Sequence, residues 1–352
     1  MRTNQRGFTL VEVLLASVVF AMFMIGMLNL LDTSTKVAQI ESSLADTQEN
    51  VRFAAYHIMR TARMMGGAAM PFAGTAVGGG GDQWVTGELI SNASGTISIP
   101  GYGNVTVLPG SDVLTLRGFF EISPFFTNPE TVLAGASGTA TIAEYNPSDE
   151  LINDVDGFTL DALEGRGVVF MGTGRFCVGE IDSGSVLSGD NFDRVLILKH
   201  KAGDTLWPDL NTDQSYPPTF QVYRIGVLES YTYFVSPDNV LRRIRVAGSN
   251  PQAEPVAINI GGLQIALGVD SNDDDAIQPA EWNNDPSGTG DVIGHEVLGM
   301  RIAVLGRTDV SVPGWTEPDS TFEVEDGGSG SMQANAKWRR VEVYVNLRNY
   351  KF

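Results

Sequence analysis

The chain has 352 residues, 43% of them hydrophobic, and a formal net charge of −19. That acidity opposes contact with a nucleic-acid backbone, and the length supplies core for one large domain or two small ones. The single cysteine, Cys177, excludes an intramolecular disulfide and reads as a small buried apolar residue in a strand-like context. A short leader, MRTNQRG, carries Arg2 and Arg6 without an acid and ends at Gly7. Residues 8–31 then read FTLVEVLLASVVFAMFMIGMLNLL, which as a helix would span roughly 36 Å, enough for a bilayer core. The basic flank places the N-terminus in the cytoplasm and everything beyond Leu31 outside. Glu12 is the one charge in the run, and a carboxylate at bilayer depth is costly enough to mark a functional position that needs a partner. A cleaved secretory signal would have a shorter apolar region followed by a small-residue cleavage site, and none follows here. A plain membrane anchor accounts for the run but leaves Glu12 and Gly7 without a purpose.

From Phe8 to Met65 there is no proline, and the only glycine is Gly26. The helix is therefore expected to continue through residues 32–67. Val37, Ile40, Leu44, Val51, Ala54 and Ile58 recur at helical spacing, with Lys36, Glu41, Asp46, Glu49, Arg52 and Arg60 largely between them, an amphipathic stem with one buried face. Gly66–Gly67 is the expected stop, which gives a helix of about 58 residues and ~87 Å. Gly26 and Asn29 are its weakest points by propensity.

The remainder, residues 68–352, holds most of the 40 glycines and 16 prolines and reads as a mostly β head with long loops. Strands are expected at 96–99, 105–108 and 112–117, then at 167–171, 175–181, 194–200, 219–225 and 230–235. Tyr231–Val235 and Val240–Arg245, joined by Ser-Pro-Asp-Asn, form an expected hairpin. Further strands are expected at 263–269, 297–305 and 339–347, the last with Val341, Val343, Val345 and Leu347 alternating against polar neighbours. Residues 120–165 read as an irregular insertion and 309–336 as a Gly/Ser/Asp-rich loop. No internal repeat is evident.

The string Gly7-Phe8-Thr9-Leu10-Val11-Glu12 resembles the signature of type IV pilins and their relatives. The resemblance implies that a prepilin peptidase cuts after Gly7 and N-methylates Phe8. It also implies that Glu12 pairs with such an N-terminal ammonium, often a neighbouring subunit's, during assembly. It implies an α+β lollipop: a long N-terminal helix, membrane-spanning in its first half, packed on a mostly antiparallel β head. The order of later segments resembles the PilW-type minor pilins: the helix end at residues 50–67, Ser-Asp-Val-Leu-Thr-Leu at Ser111, Tyr-Thr-Tyr-Phe-Val, Gly-Val-Asp with an acidic loop, and Asn346-Leu347-Arg348-Asn349. Residues 120–165 match nothing in that pattern. The type II secretion minor pseudopilin J is the nearest relative in design. The resemblance implies a non-enzymatic subunit that initiates or primes a pilus and sits at or near its tip. Its partners would be other minor pilins, the major pilin, the inner-membrane assembly platform and membrane lipid. The implied location is the bacterial inner membrane with a periplasmic head, then the pilus surface.

Residues 270–281, DSNDDDAIQPAE, have the spacing of an EF-hand calcium loop. Asp270, Asn272 and Asp274 stand at positions one, three and five, Ala276 offers its carbonyl at seven, and Glu281 stands at twelve. Ile277 fits the apolar eighth position. Asp275 stands where glycine is wanted, though aspartate tolerates a left-handed backbone better than most residues. The alternative is a solvated acidic turn without Ca2+. His57, His200 and His295 lack metal-ligand or triad spacing, and no phosphate-binding or G-x-S-x-G string occurs. An anchored exported hydrolase and a tip adhesin are the alternatives of other classes.

Overall fold

A computed structural model describes residues 9–65, 87–99, 102–118, 229–246, 251–272, 274–283, 296–309 and 336–347, with shorter strand segments elsewhere in the head. Helix α1 spans Leu10–Met64, 55 residues, and passes Gly26 and Asn29 without a break. It starts at an N-cap, Thr9, whose backbone is extended and whose hydroxyl accepts the N–H of Glu12. At the other end Met65 turns to extended backbone and bridges to Gly118; the expected stop at Gly66–Gly67 lies outside the described residues.

The apolar first half of α1 is exposed along its length, from Leu10 to Leu31. Burial begins only at Ser43, with a stripe of Ser43, Thr47, Val51, Ala54, Ala55, Ile58, Thr61 and Ala62. The sequence pattern started that face at Val37, but Val37 is exposed and Ile40 and Leu44 are only half-buried. The head first reaches the helix at Ser43, so the stretch below it has nothing to bury against.

The head strands are β1 (Gly87–Ile99), β2 (Gly103–Gly118), β3 (Phe126–Thr127), β4 (Thr139–Ala143), β5 (Gly167–Gly172), β6 (Arg175–Glu180), β7 (Val186–Ser188), β8 (Val195–Lys199) and β9 (Arg224–Val227). They continue with β10 (Glu229–Val235), β11 (Val240–Val246), β12 (Gln252–Ile258), β13 (Ile260–Asp270), β14 (Trp282–Asn283), β15 (Glu296–Arg307), β16 (Thr321–Phe322), β17 (Gly330–Ser331) and β18 (Trp338–Asn346). One sheet has the order β1-β2-β10-β11-β12 and a second β14-β13-β15-β18. Between β2 and β10 the chain builds a third sheet, β6-β5-β9-β3-β4-β8-β7. The strands of all three pair antiparallel. Within 120–165, read from sequence as irregular, the described residues include β3 and β4.

One core joins the buried stripe of α1 to Leu114, Leu116, Tyr233 and Leu241 of the first sheet and Leu263, Ile265, Ile302 and Val345 of the second. The two sheets are also tied by polar groups at the middle of β2. Asp112, fully buried, accepts the main-chain N–H of Asn92 at 2.8 Å and of Ile265 at 2.7 Å. Ser111 Oγ accepts the N–H of Leu263 at 3.1 Å. A buried carboxylate is tolerable only when its oxygens are satisfied in this way.

Candidate functional site

Gly7 and Phe8, the positions where processing is expected, lie outside the described residues; the described chain begins at Thr9. There the backbone N–H of Thr9 donates to Glu12 Oε2 at 2.9 Å and its hydroxyl to the same oxygen at 3.0 Å. In return Thr9 Oγ1 accepts the N–H of Glu12 at 3.3 Å. This is a reciprocal capping box. Its sequence signal, a Thr followed three residues later by Glu at the start of an apolar run, was legible and absorbed into the motif. The carboxylate thus has a local partner within its own chain, and it sits on an exposed helix start among exposed Leu10, Val11 and Val13. One oxygen, Oε2, carries both bonds from Thr9; Oε1 has capacity for an incoming cationic donor.

Lower down, the stem is fastened to the head by polar contacts among its small residues. Ser43 Oγ donates to Asp309 Oδ1 at 2.5 Å. The Thr47 hydroxyl reaches the carbonyl oxygens of Ser43 at 2.7 Å and Arg307 at 3.2 Å. Near the helix end Tyr233 Oη lies 2.7 Å from Thr61 Oγ1 and 3.1 Å from His57 Nδ1. His57 is therefore a contact between helix and head. Burial, and then the positive charges of Arg243 and Arg60, hold its pKa below the usual 6.5, with Glu254 opposing. His200 and His295 lie outside the described residues.

The acidic loop follows β13 directly, and the structure brings its predicted residues together around their own backbone. Asp270, 2% exposed, accepts the N–H groups of Asp274 at 3.1 Å and Asp275 at 2.8 Å. Asn272 Oδ1 accepts the N–H of Asp274 at 3.0 Å, and Asp274 Oδ1 that of Ala276 at 2.9 Å. Glu281 closes the loop by accepting from Ser271 N at 3.1 Å and Gln278 N at 2.7 Å. Asp275 takes φ +64°, the left-handed turn that the position demands. Among the described residues no group of three or more His, Cys, Asp or Glu side chains is arranged to hold a metal ion. The loop's oxygens are engaged with its own N–H groups.

Sequence reasoning missed what seats this loop. Ile277 lies over Gly268 of β13 and Gly299 of β15, where a Cβ would come within 2.5 Å and 2.8 Å of its Cδ1. Beside it the Arg301 guanidinium lies 3.9 Å from the centroid of the Trp282 ring, which meets Tyr344 edge-on at 5.9 Å. The two glycines, spaced across neighbouring strands, carry no local signal of this role.

A profile described as the prokaryotic N-terminal methylation motif matches residues 2–28. Among solved structures, a type IV-like pilin from Thermus thermophilus is similar at 14% identity, covering 54% of this chain and 87% of that one with a TM-score of 0.24. So loose a superposition carries no detail, and the fold rests on the helix and sheets themselves. No curated protein matches. Among the described residues one helix is long and apolar enough to cross a membrane. The chain thus combines a prepilin-type methylation motif, an apolar N-terminal helix and an antiparallel β head, a type IV pilin-like arrangement that points to a structural subunit.

Proposed function

We propose that this chain is a minor pilin of the PilW type, a structural subunit that initiates or primes a type IV filament and sits at or near its tip. In this reading prepilin peptidase cuts after Gly7 and methylates Phe8. The subunit waits in the inner membrane, N-terminus in the cytoplasm and head outside, until it joins other pilins on the assembly platform. The observation that carries the proposal is the methylation motif over residues 2–28 placed on a helix whose first half is exposed and apolar while its second half is packed on the head. Such a face is stable only in lipid or against other apolar helices. Glu12 is the assembly residue: its carboxylate would take the ammonium of a neighbouring subunit's first residue.

The test is Glu12→Ala in cells. Membrane insertion should be unchanged, because the apolar run is intact, while recovery of the subunit in sheared filaments should fall at least tenfold. Normal recovery would overturn the pairing. Deletion of the whole gene should abolish piliation; pili that persist and merely fail to attach would instead identify an adhesin.

The loop at residues 270–281 is proposed as a calcium site within the same head, held by Asp270, Asn272, Asp274, the Ala276 carbonyl and Glu281. What supports it is that the side-chain oxygens of Asp270, Asn272, Asp274 and Glu281 turn onto the loop N–H groups, and each carboxylate keeps lone pairs for a cation.

A further inference from the structure

We infer that residues 119–228 are a second domain, inserted into the head and dispensable for its folding, which binds a cationic partner and is rooted at the end of the stem farthest from the apolar run. Strands β3 to β9 all come from this segment. Among the described residues they pair only with one another, in a seven-stranded sheet of their own. The chain enters and leaves at a single rung, Gly118 opposite Glu229, and the two connecting stretches pair again inside, at Phe126 and Arg224. A segment whose two ends lie side by side is the kind that a host fold accepts as an inserted domain. The host closes without it. At the rung the Glu229 carboxylate, 2% exposed, accepts Arg245 Nη2 at 2.6 Å and Tyr231 Oη at 3.0 Å. Both partners belong to β10 and β11, so the end of the first sheet satisfies its buried charge from within the host.

The root has a defined place along the subunit. Met65, where α1 ends, bridges to Gly118, roughly 51 Å of helix beyond Leu31. A subunit held by the first half of its helix therefore carries the insertion on its outer end; for this display alone the inference rests on the minor-pilin reading above. Composition sets the sign of the partner. These 110 residues hold sixteen Asp and Glu against six Lys and Arg, which is ten of the chain's nineteen net negative charges in under a third of its length. A domain so charged attracts cationic surfaces and repels anionic ones, over a range that salt shortens. Assembly draws on the methylation motif and the helix, so recognition by the insertion is a separate function of the same chain.

The test replaces residues 119–228 with Asn-Gly, a two-residue turn suited to joining antiparallel neighbours. The shortened chain should fold and restore piliation to cells lacking the gene. In detergent the full-length chain should bind poly-L-lysine at least tenfold more tightly at about 0.05 M than at about 0.5 M salt, and the shortened chain at least tenfold more weakly than the full one. D204N/D209N/D213N, within the insertion, should weaken binding at least threefold, whereas E41Q/D46N/E49Q, which removes as many exposed charges from the stem, should bind as the wild type does. Equal losses in these two variants would make binding a matter of total charge, and full binding by the shortened chain would place it outside the insertion; either result overturns the cationic partner. Calorimetry of the full-length chain keeps the domain testable if the shortened chain does not fold. It should show two transitions, of which Gly306→Ala, at the stem–head junction, lowers one only. A single transition that Gly306→Ala moves as a whole would overturn the separate domain. If deleting the gene leaves piliation intact, the minor-pilin reading falls, while two-transition melting and polylysine binding are read independently of it.

Discussion

Glu12 is the residue on which the proposed assembly contact and the local folding of the helix start meet. From sequence it is a membrane carboxylate lacking a partner; in the structure Thr9 provides one, through two bonds to Oε2. Loss of incorporation in Glu12→Ala would therefore reflect the lost N3 half of the capping box as well as a lost charge. Glu12→Gln separates them, because glutamine serves in a capping box but cannot neutralise an ammonium. We expect Glu12→Gln to be excluded from filaments as severely as Glu12→Ala; near-normal entry of the glutamine variant would assign Glu12 to the cap alone. The acidic loop carries the second residue-scale prediction. A ligand at a hundredfold its Kd stabilises by ~2.7 kcal/mol, so the melting temperature of the full chain should rise by about 5 °C in saturating calcium over chelator, and Glu281→Gln should remove the rise. Identical melting in both would leave a hydrogen-bonded acidic turn. This loop was legible because its donors and acceptors lie within twelve positions of one another. Asp112 was not, although it ties the two sheets: its partners Asn92 and Ile265 are 20 and 153 positions away, and only the fold brings them to it.

Among the elements, the junction of stem and head depends on an absent side chain. Gly306, near the end of β15, lies where a Cβ would overlap methyl carbons of Val51 and Thr47 on α1. Gly306→Ala should push the helix off the second sheet and cost ~1–3 kcal/mol, read as a lower melting temperature of the full chain. Combining it with Val51→Ala should recover part of the loss, a coupling that a general effect on β15 would not produce. The periodicity of α1 was plain in the sequence, because a long proline-free run with helical spacing has few competing interpretations. Where its burial starts was not, since that depends on how far the head extends. Strand β12 was missed because Pro255 interrupts it; it is an edge strand, and proline is tolerated there. The extent of the insertion was also hidden. The chain leaves the first sheet after Gly118 and returns at Glu229, which pairs with Gly118 across the ladder. Two ends held on one rung let a whole sheet be inserted without disturbing the strands around it, whereas sequence marked only residues 120–165 as foreign to the pattern.

For the whole molecule, the first half of the helix is exposed and apolar while the second half is packed on the head, so the stem–head contact decides whether the two stay one folded unit. His57 makes that contact sensitive to acid. Its imidazole packs against Phe53 at 6.0 Å and Tyr233 at 5.7 Å between ring centroids, with Arg60 on its own helix and Arg243 and Glu254 facing it from β11 and β12. Protonation does not break the Tyr233 bond, because a protonated Nδ1 can donate to Oη while Oη donates to Thr61. The cost is instead a charge removed from water beside two arginines. Since the folded pKa lies below the ordinary 6.5, the unfolded chain binds more protons as pH falls through that value, and folding stability declines with it. The contribution is complete above pH ~6.5 and is lost as pH drops to the lowered folded pKa. Melting of the full chain between pH 7.5 and 5 should show this fall, and His57→Gln, which keeps a polar group of similar reach without a titrating proton, should flatten it over that window. An acid limb of equal slope in both proteins would assign the effect to the carboxylates instead, whose protonation would leave the variant and the wild type parallel.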